Sequence, residues 1–138
     1  MTNNKDQNDN SNPECWCGSG VVEQGCCAPL LAGEAQAATA EALMRSRYSA
    51  YATGNVDYLV ATWYPVTCPA ELELDADQRW LGLKVLATQA GGVEDLEGMV
   101  EFVARYKVDG RGHRLHEVSH FQKVGARWLY VGGEISSK

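Results

Sequence analysis

The sequence predicts an α+β protein, with helices first, then a four-stranded antiparallel meander, and a small cysteine-rich module ahead of both. Three observations carry this. Apolar residues recur at helical spacing from Ala40 to Thr53, then alternate singly from Trp80 onward between Gly-containing turns. Four of the five cysteines crowd into positions 15–27. A core needs no such density, because there a thiol serves only as a small hydrophobe.

Residues 1–14 are polar and lack aromatics, which reads as a disordered tail. The cysteine module covers 15–29, and 30–134 forms the main domain. Thr39 caps a helix over 40–53 that Gly54 ends. Its apolar face holds Ala40, Leu43, Met44, Tyr48 and Tyr51, and Arg45, Ser46, Ser49 and Thr53 lie opposite. Asn55 caps a second helix over 56–63, stopped by Pro65. Residues 65–78 carry no period beyond one helical turn after Pro69. Strands follow at 80–89, 99–108, 115–124 and 128–131. The first turns Leu81, Leu83, Val85 and Ala87 to the core, and the second turns Val100, Phe102, Ala104 and Tyr106. Gly91-Gly92, Asp109-Gly110-Arg111-Gly112 and Gly125-Ala126 mark the turns between them.

Two positions break the apolar pattern. Arg47 falls in the middle of the helix's core face, where an unpaired guanidinium is costly. Glu117 alternates with Leu115, Ser119 and Phe121 and so faces the same core. The expected arrangement is a buried Arg47–Glu117 pair that fixes helix to sheet. The alternative is a pocket lined by Arg47, Tyr51 and Glu117, in which Arg47 orients an anionic substrate and Glu117 acts as base. His116 and His120, four apart on one strand, have Cα atoms about 13 Å apart, too far to share a metal. Cys68 stands alone beside Pro69 and reads as a structural thiol. Trp16 faces outward or packs the module onto the domain.

A net charge of −6 argues against a phosphate-binding surface, which needs clustered Lys and Arg. No apolar run approaches the roughly 18 residues of a membrane span, and no apolar signal segment opens the chain. These features predict a cytoplasmic protein whose thiols stay reduced and favour metal over disulfide. Zn²⁺ takes four ligands tetrahedrally, and Gly18-Ser19-Gly20 lets the backbone fold closely around a metal-bound sulfur. Bridges between neighbouring cysteines would be strained. Cross-paired disulfides, Cys15 to Cys26 and Cys17 to Cys27, remain the alternative.

The pattern C-x-C-G-S-G-x5-C-C resembles the SEC-C motif, a small zinc-binding module, and the resemblance implies Cys15, Cys17, Cys26 and Cys27 as ligands. SEC-C motifs usually carry a basic run between the cysteine pairs. Here the segment reads Val21-Val22-Glu23-Gln24-Gly25, which predicts a weaker site. The stretches TAEALMRSRYSAYATGNVDYLVATW (39–63), RWLGLKVL (79–86), VEFVARYK (100–107), LHEVSHF (115–121) and RWLYVGGE (127–134) resemble the YchJ family. That family couples a SEC-C motif to a nuclear-transport-factor-2-like domain, a curved antiparallel sheet with helices over its concave side. A closed set of four thiolates leaves no coordination position for water or substrate. The expected function is therefore a non-catalytic protein-interaction module with an unidentified protein partner and no nucleic acid. The alternative is a lyase or isomerase acting on a small molecule in the cone.

Overall fold

The computed structural model describes residues 14–135; the expected tail therefore lies outside the described residues, apart from Glu14. In order, the chain forms a single 3-10 turn at Glu23–Gly25, α1 (Ala28–Leu31), α2 (Ala40–Thr53) and α3 (Val56–Ala61). Four strands follow: β1 (Gln78–Ala90), β2 (Glu97–Val108), β3 (Arg111–Val124) and β4 (Arg127–Ile135). The strands pair antiparallel in the order β1-β2-β3-β4. The helical turn expected after Pro69 does not form; the turn in this stretch comes before that proline, where the Thr67 and Cys68 amides donate to Tyr64 O.

The capping residues act as their chemistry dictates. The Thr39 hydroxyl accepts from the Ala42 amide, and Gly54 closes α2 at φ 77°. Asn55 accepts from the Tyr58 amide at the start of α3. Asp109 and Gly110 both take positive φ, 53° and 81°, in the two-residue turn that joins Val108 to Arg111.

Helix α2 lies across one face of the sheet. Ala40, Leu43, Met44 and Tyr48 meet Val100, Phe102, Ala104, Phe121 and Trp128 there. Each large side chain so buried contributes roughly 1.5–3 kcal/mol. The start of α2 is pinned to the β1–β2 loop by the Ala40 amide, which donates to Gly91 O at 2.9 Å. A Cβ on Gly91 would come 2.8 Å from that of Ala40, so only glycine allows this approach.

Two sequence expectations change. Register shifts fall between Trp80 and Gly82 and between Val85 and Ala87. The first bulge lets Trp80 turn inward with Leu83 and Val85, leaving Leu81 56% exposed; past the second, Ala87 is exposed too. The polar side of α2 is also covered: Ser46 and Ser49 are fully buried. Ser46 bonds to Leu43 O and the Tyr58 hydroxyl, and Ser49 faces the cysteine module. The outer edge of β4 is covered as well. The Tyr64 amide donates to Tyr130 O, and the Tyr130 amide donates to Thr62 O.

Candidate metal centre

The module folds as a tight loop closed by a bridge between Glu14 and Val22 and by the Cys15 amide donating to Val21 O. Gly18 takes φ 79° where the loop meets β1, and a Cβ there would press on Leu83 O at 3.0 Å. This turn brings Cys15 and Cys17 over Cys26 and Cys27. The four Sγ atoms all lie within 4.8 Å of one another, with 3.6 Å between Cys17 and Cys26 and 3.9 Å between Cys26 and Cys27. A tetrahedron of thiolates with metal–sulfur bonds of about 2.3 Å has edges of about 3.8 Å. The donor set therefore fits a metal ion with sulfur–sulfur adjustments of at most about 1 Å. None of the cysteines forms a disulfide, which removes the cross-paired alternative.

Burial is nearly complete. Cys15, Cys17 and Cys27 belong to the same hydrophobic core as Leu43 and Trp128, and Cys26 is half-buried against it. The Ser19 hydroxyl lies 3.2 Å from Cys26 Sγ, and the Ser49 hydroxyl 3.6 Å from Cys15 Sγ. In the metal-free cluster, negative charge concentrates on Cys17. The neighbouring Cys27 thiol holds it down to about 4 against the opposing effect of burial, with help from Ser19 and Cys26. Cys27 is pushed up by its bond to Cys17 and then by burial, and Cys26 mainly by burial. A metal ion would displace the protons that remain.

Sequence reasoning missed the cation that serves this cluster. Arg45 donates from Nη1 to Cys17 O at 2.8 Å and from Nε to Glu41 at 3.0 Å. Burial works against its charge, yet the contacts with Glu41 and Cys17 outweigh it and raise its pKa. The Glu41–Arg45 spacing of four reads as a solvent-exposed helix pair. No local pattern shows that a loop 28 residues upstream covers it.

The second candidate region is a cavity of about 230 Å³ between α2 and the sheet. It gathers the three residues singled out from the sequence, Arg47, Tyr51 and Glu117, with Tyr48, Trp80, Ser119, Phe121 and Tyr130 among the other walls. The expected Arg47–Glu117 pair does not form. Arg47 Nη1 donates instead to Leu59 O and Thr62 Oγ1, both at 2.8 Å. Its guanidinium sits 4.8 Å from the Trp63 ring and 4.5 Å from that of Tyr130. Glu117 Oε2 accepts from Ser119 Oγ at 2.7 Å and from the Tyr130 hydroxyl at 3.1 Å. The last turn of α3 and the aromatic faces satisfy the cation locally, and hydroxyls satisfy the carboxylate. Burial lowers the Arg47 pKa and raises those of Tyr51 and Tyr130.

The three histidines fall outside both regions. His116 bonds to Glu101 Oε2 at 2.7 Å, and His120 lies 3.9 Å from Glu134. His113 stacks on Tyr106. Trp16 is 48% exposed. Among the described residues, no helix is long and apolar enough to cross a membrane.

Residues 39–133 match the family model of the YchJ middle domain, a nuclear-transport-factor-2-like domain. The chain belongs to the YchJ family. A YchJ relative from Chromobacterium violaceum, known as a UPF0225 protein, is 51% identical over 126 residues, covering 88% of this chain and 93% of that one. A UPF0225 protein of Bordetella pertussis is 47% identical over 132 residues, covering 94% and 98%. The solution structure of a SEC-C motif containing protein from Rhodopseudomonas palustris superposes with a TM-score of 0.78 at 39% identity, covering 89% of this chain and 98% of that one. The crystal structure of a SEC-C motif containing protein from Psychrobacter arcticus gives 0.69 at 28% identity, covering 90% and 83%. The YchJ match thus spans residues 39–133, and the two SEC-C motif structures match about nine-tenths of this chain.

Proposed function

We propose that this YchJ protein is a cytoplasmic zinc protein. Its SEC-C module, stiffened by Zn²⁺ bound to Cys15, Cys17, Cys26 and Cys27, serves as a non-catalytic recognition element for another protein. The observation that carries the metal reading is the convergence of four unbridged thiols within 4.8 Å. The all-sulfur donor set favours Zn²⁺ over oxygen-loving ions. Because all four ligands come from the chain and burial is nearly complete, the ion has no vacant position for water or substrate. It would act as a structural centre.

The recognition reading is supported by what the loop displays. Trp16, Val21 and Val22 are 48%, 46% and 40% exposed on a segment whose inward side chains would be fixed by the ion. Partly exposed aromatics on a rigid support are typical anchors of protein interfaces. The test compares three forms of the intact protein as bait: metal-loaded, chelator-stripped and Trp16→Ala. A partner held by the first and lost by the other two is the expected result. Equal capture by all three would end the recognition reading. Metal analysis of Cys26→Ser/Cys27→Ser separately tests the ligand assignment, with about one Zn²⁺ per wild-type chain expected and none in the variant. A second reading, chemistry on a small molecule in the cone, is favoured by one observation, the cavity that Arg47, Tyr51 and Glu117 share.

A further inference from the structure

We infer that the cavity under α2 binds a small organic acid. Its carboxylate would meet Arg47, a hydrogen-bond donor elsewhere on the molecule would meet Glu117, and an apolar body would lie against the aromatic walls. This rests on the cone reading alone and is independent of the metal centre.

The first observation is the state of Arg47. It is 5% exposed, it lines the cavity, and among the described residues no carboxylate lies within ion-pair distance of it. Both of its hydrogen bonds at standard geometry leave from Nη1, with the Tyr51 hydroxyl also close enough to support its charge. A guanidinium carries five donors, and the two protein bonds on Nη1 leave Nε and Nη2 to meet a ligand beside Tyr51. A buried cation without a counter-ion is costly, and an entering anion would relieve that cost.

Glu117 supplies the second. Its hydrogen bonds all run to Oε2. Oε1 has no protein partner among the described residues, yet it is not sealed from solvent. A simple anion would be drawn to Arg47 and repelled by this carboxylate. A molecule carrying both a carboxylate and an N–H or O–H donor answers both groups, and a bifunctional acid is therefore the class the site selects. Such complementary placing of charges gives specificity at modest affinity.

Size and lining are the third. A cavity of 230 Å³ has the volume of roughly eight water molecules, which admits one small organic molecule and no polymer. Tyr48, Tyr51, Trp80, Phe121 and Tyr130 offer ring faces and edges to a flat or branched apolar group. A wider groove of about 580 Å³, lined in part by Leu30, Leu31, Tyr58 and Trp128, presents only exposed charges, Asp57 and Arg127, and lacks this selectivity.

The test titrates three probes into the metal-loaded, isotope-labelled full chain and follows the Trp80 indole and the Ser119 and Phe121 amides by NMR. L-phenylalanine carries both charges, phenylacetate only the carboxylate, and phenethylamine only the ammonium. Saturable shifts with L-phenylalanine at millimolar concentration or below are expected. Arg47→Gln should weaken phenylacetate and phenylalanine at least about tenfold and change phenethylamine much less. Glu117→Gln should weaken phenethylamine yet tighten phenylacetate, and this opposite response decides the matter even where Arg47→Gln does not fold. Absence of saturable shifts from all three probes would overturn the proposal and leave Arg47 as a purely structural clamp on α3. Equal phenylacetate affinity in wild type and Glu117→Gln would overturn it as well.

Discussion

Arg45 donates to the carbonyl oxygen of Cys17 at 2.8 Å, joining the main helix of the domain to the backbone of the four-cysteine cluster. This single contact supplies the positive charge that the Val21–Gly25 segment lacks. Four thiolates on one divalent ion leave a net charge near −2, and a guanidinium in the next shell offsets part of it. Outer-shell groups of this kind typically change metal affinity 10–100-fold. Arg45→Ala is expected to lower affinity by at least about tenfold in a chelator competition. Unchanged affinity would show that the contact serves packing alone.

Because Cys15, Cys17 and Cys27 share a core with Leu43 and Trp128, the ion and the domain should melt together. Binding at a thousandfold excess over Kd adds about 4 kcal/mol, or roughly 10 °C in a domain of this size. Chelation is expected to lower a single calorimetric transition by that order. Two transitions, with only the smaller one moved by chelator, would mean that the module is an independent appendage.

The parts of this structure legible in the sequence are those fixed by local chemistry. Thr39, Gly54, Asn55 and Asp109-Gly110 each act within a few residues; the three caps fall where expected, and the hairpin turns on the first two of its four expected residues, with Arg111 and Gly112 already in β3. The cysteine quartet was legible for the same reason, since ligand spacing is short and chemically distinctive. What escaped was long-range. Arg47 was visible as an anomaly, but its partners, Leu59 O and the Trp63 and Tyr130 rings, depend on how α3 and β4 fold back over α2. Ser46 and Ser49 lie on the helix side opposite its apolar face, yet that side is covered by the module and α3. Helical periodicity reports one buried face and is silent about a second.

Leu81 shows how a bulge defeats simple alternation. It sits where β1 gains an extra residue between Trp80 and Gly82 and is 56% exposed, whereas Leu83 packs on the core. Leu81→Lys is expected to change unfolding free energy by less than about 0.5 kcal/mol, and Leu83→Lys by several times more. Urea denaturation of the two variants checks this. A large loss at Leu81 would restore the unbulged register.

Alkaline pH should destabilise the fold through its tyrosines. Burial first of all raises Tyr48 to about 12, and burial also raises Tyr51, Tyr58 and Tyr130. A folded-state pKa above the unfolded value near 10 gives stability that is complete below that value and lost as pH climbs through the folded one. The window for Tyr48 is therefore about pH 10 to 12. The loss for Tyr48 alone approaches about 3 kcal/mol at the top of that window. Urea midpoints should fall steadily across this range, with phenolate absorbance rising as the protein unfolds. Full ionisation of all six tyrosines in a still-folded chain would contradict it.

Gly133 stands opposite Ser119 in the β3–β4 register, and the carboxylate of Glu117 lies directly over it. A Cβ at 133 would collide with Cγ, Cδ and Oε2 of Glu117. The glycine is not held at positive φ, so the backbone itself would accept alanine. Gly133→Ala must then push Glu117 away from the Ser119 and Tyr130 hydroxyls, breaking two hydrogen bonds to a charged group. Each such bond contributes about 1.5–3 kcal/mol, so a loss of at least about 2 kcal/mol is expected in urea unfolding. In a Glu117→Ala background these three atoms are gone, and Gly133→Ala should cost less than about 0.5 kcal/mol. The double-mutant cycle isolates this coupling because both residues meet at one contact. Equal costs in the two backgrounds would show that glycine is present for the strand alone and that Glu117 has room to move.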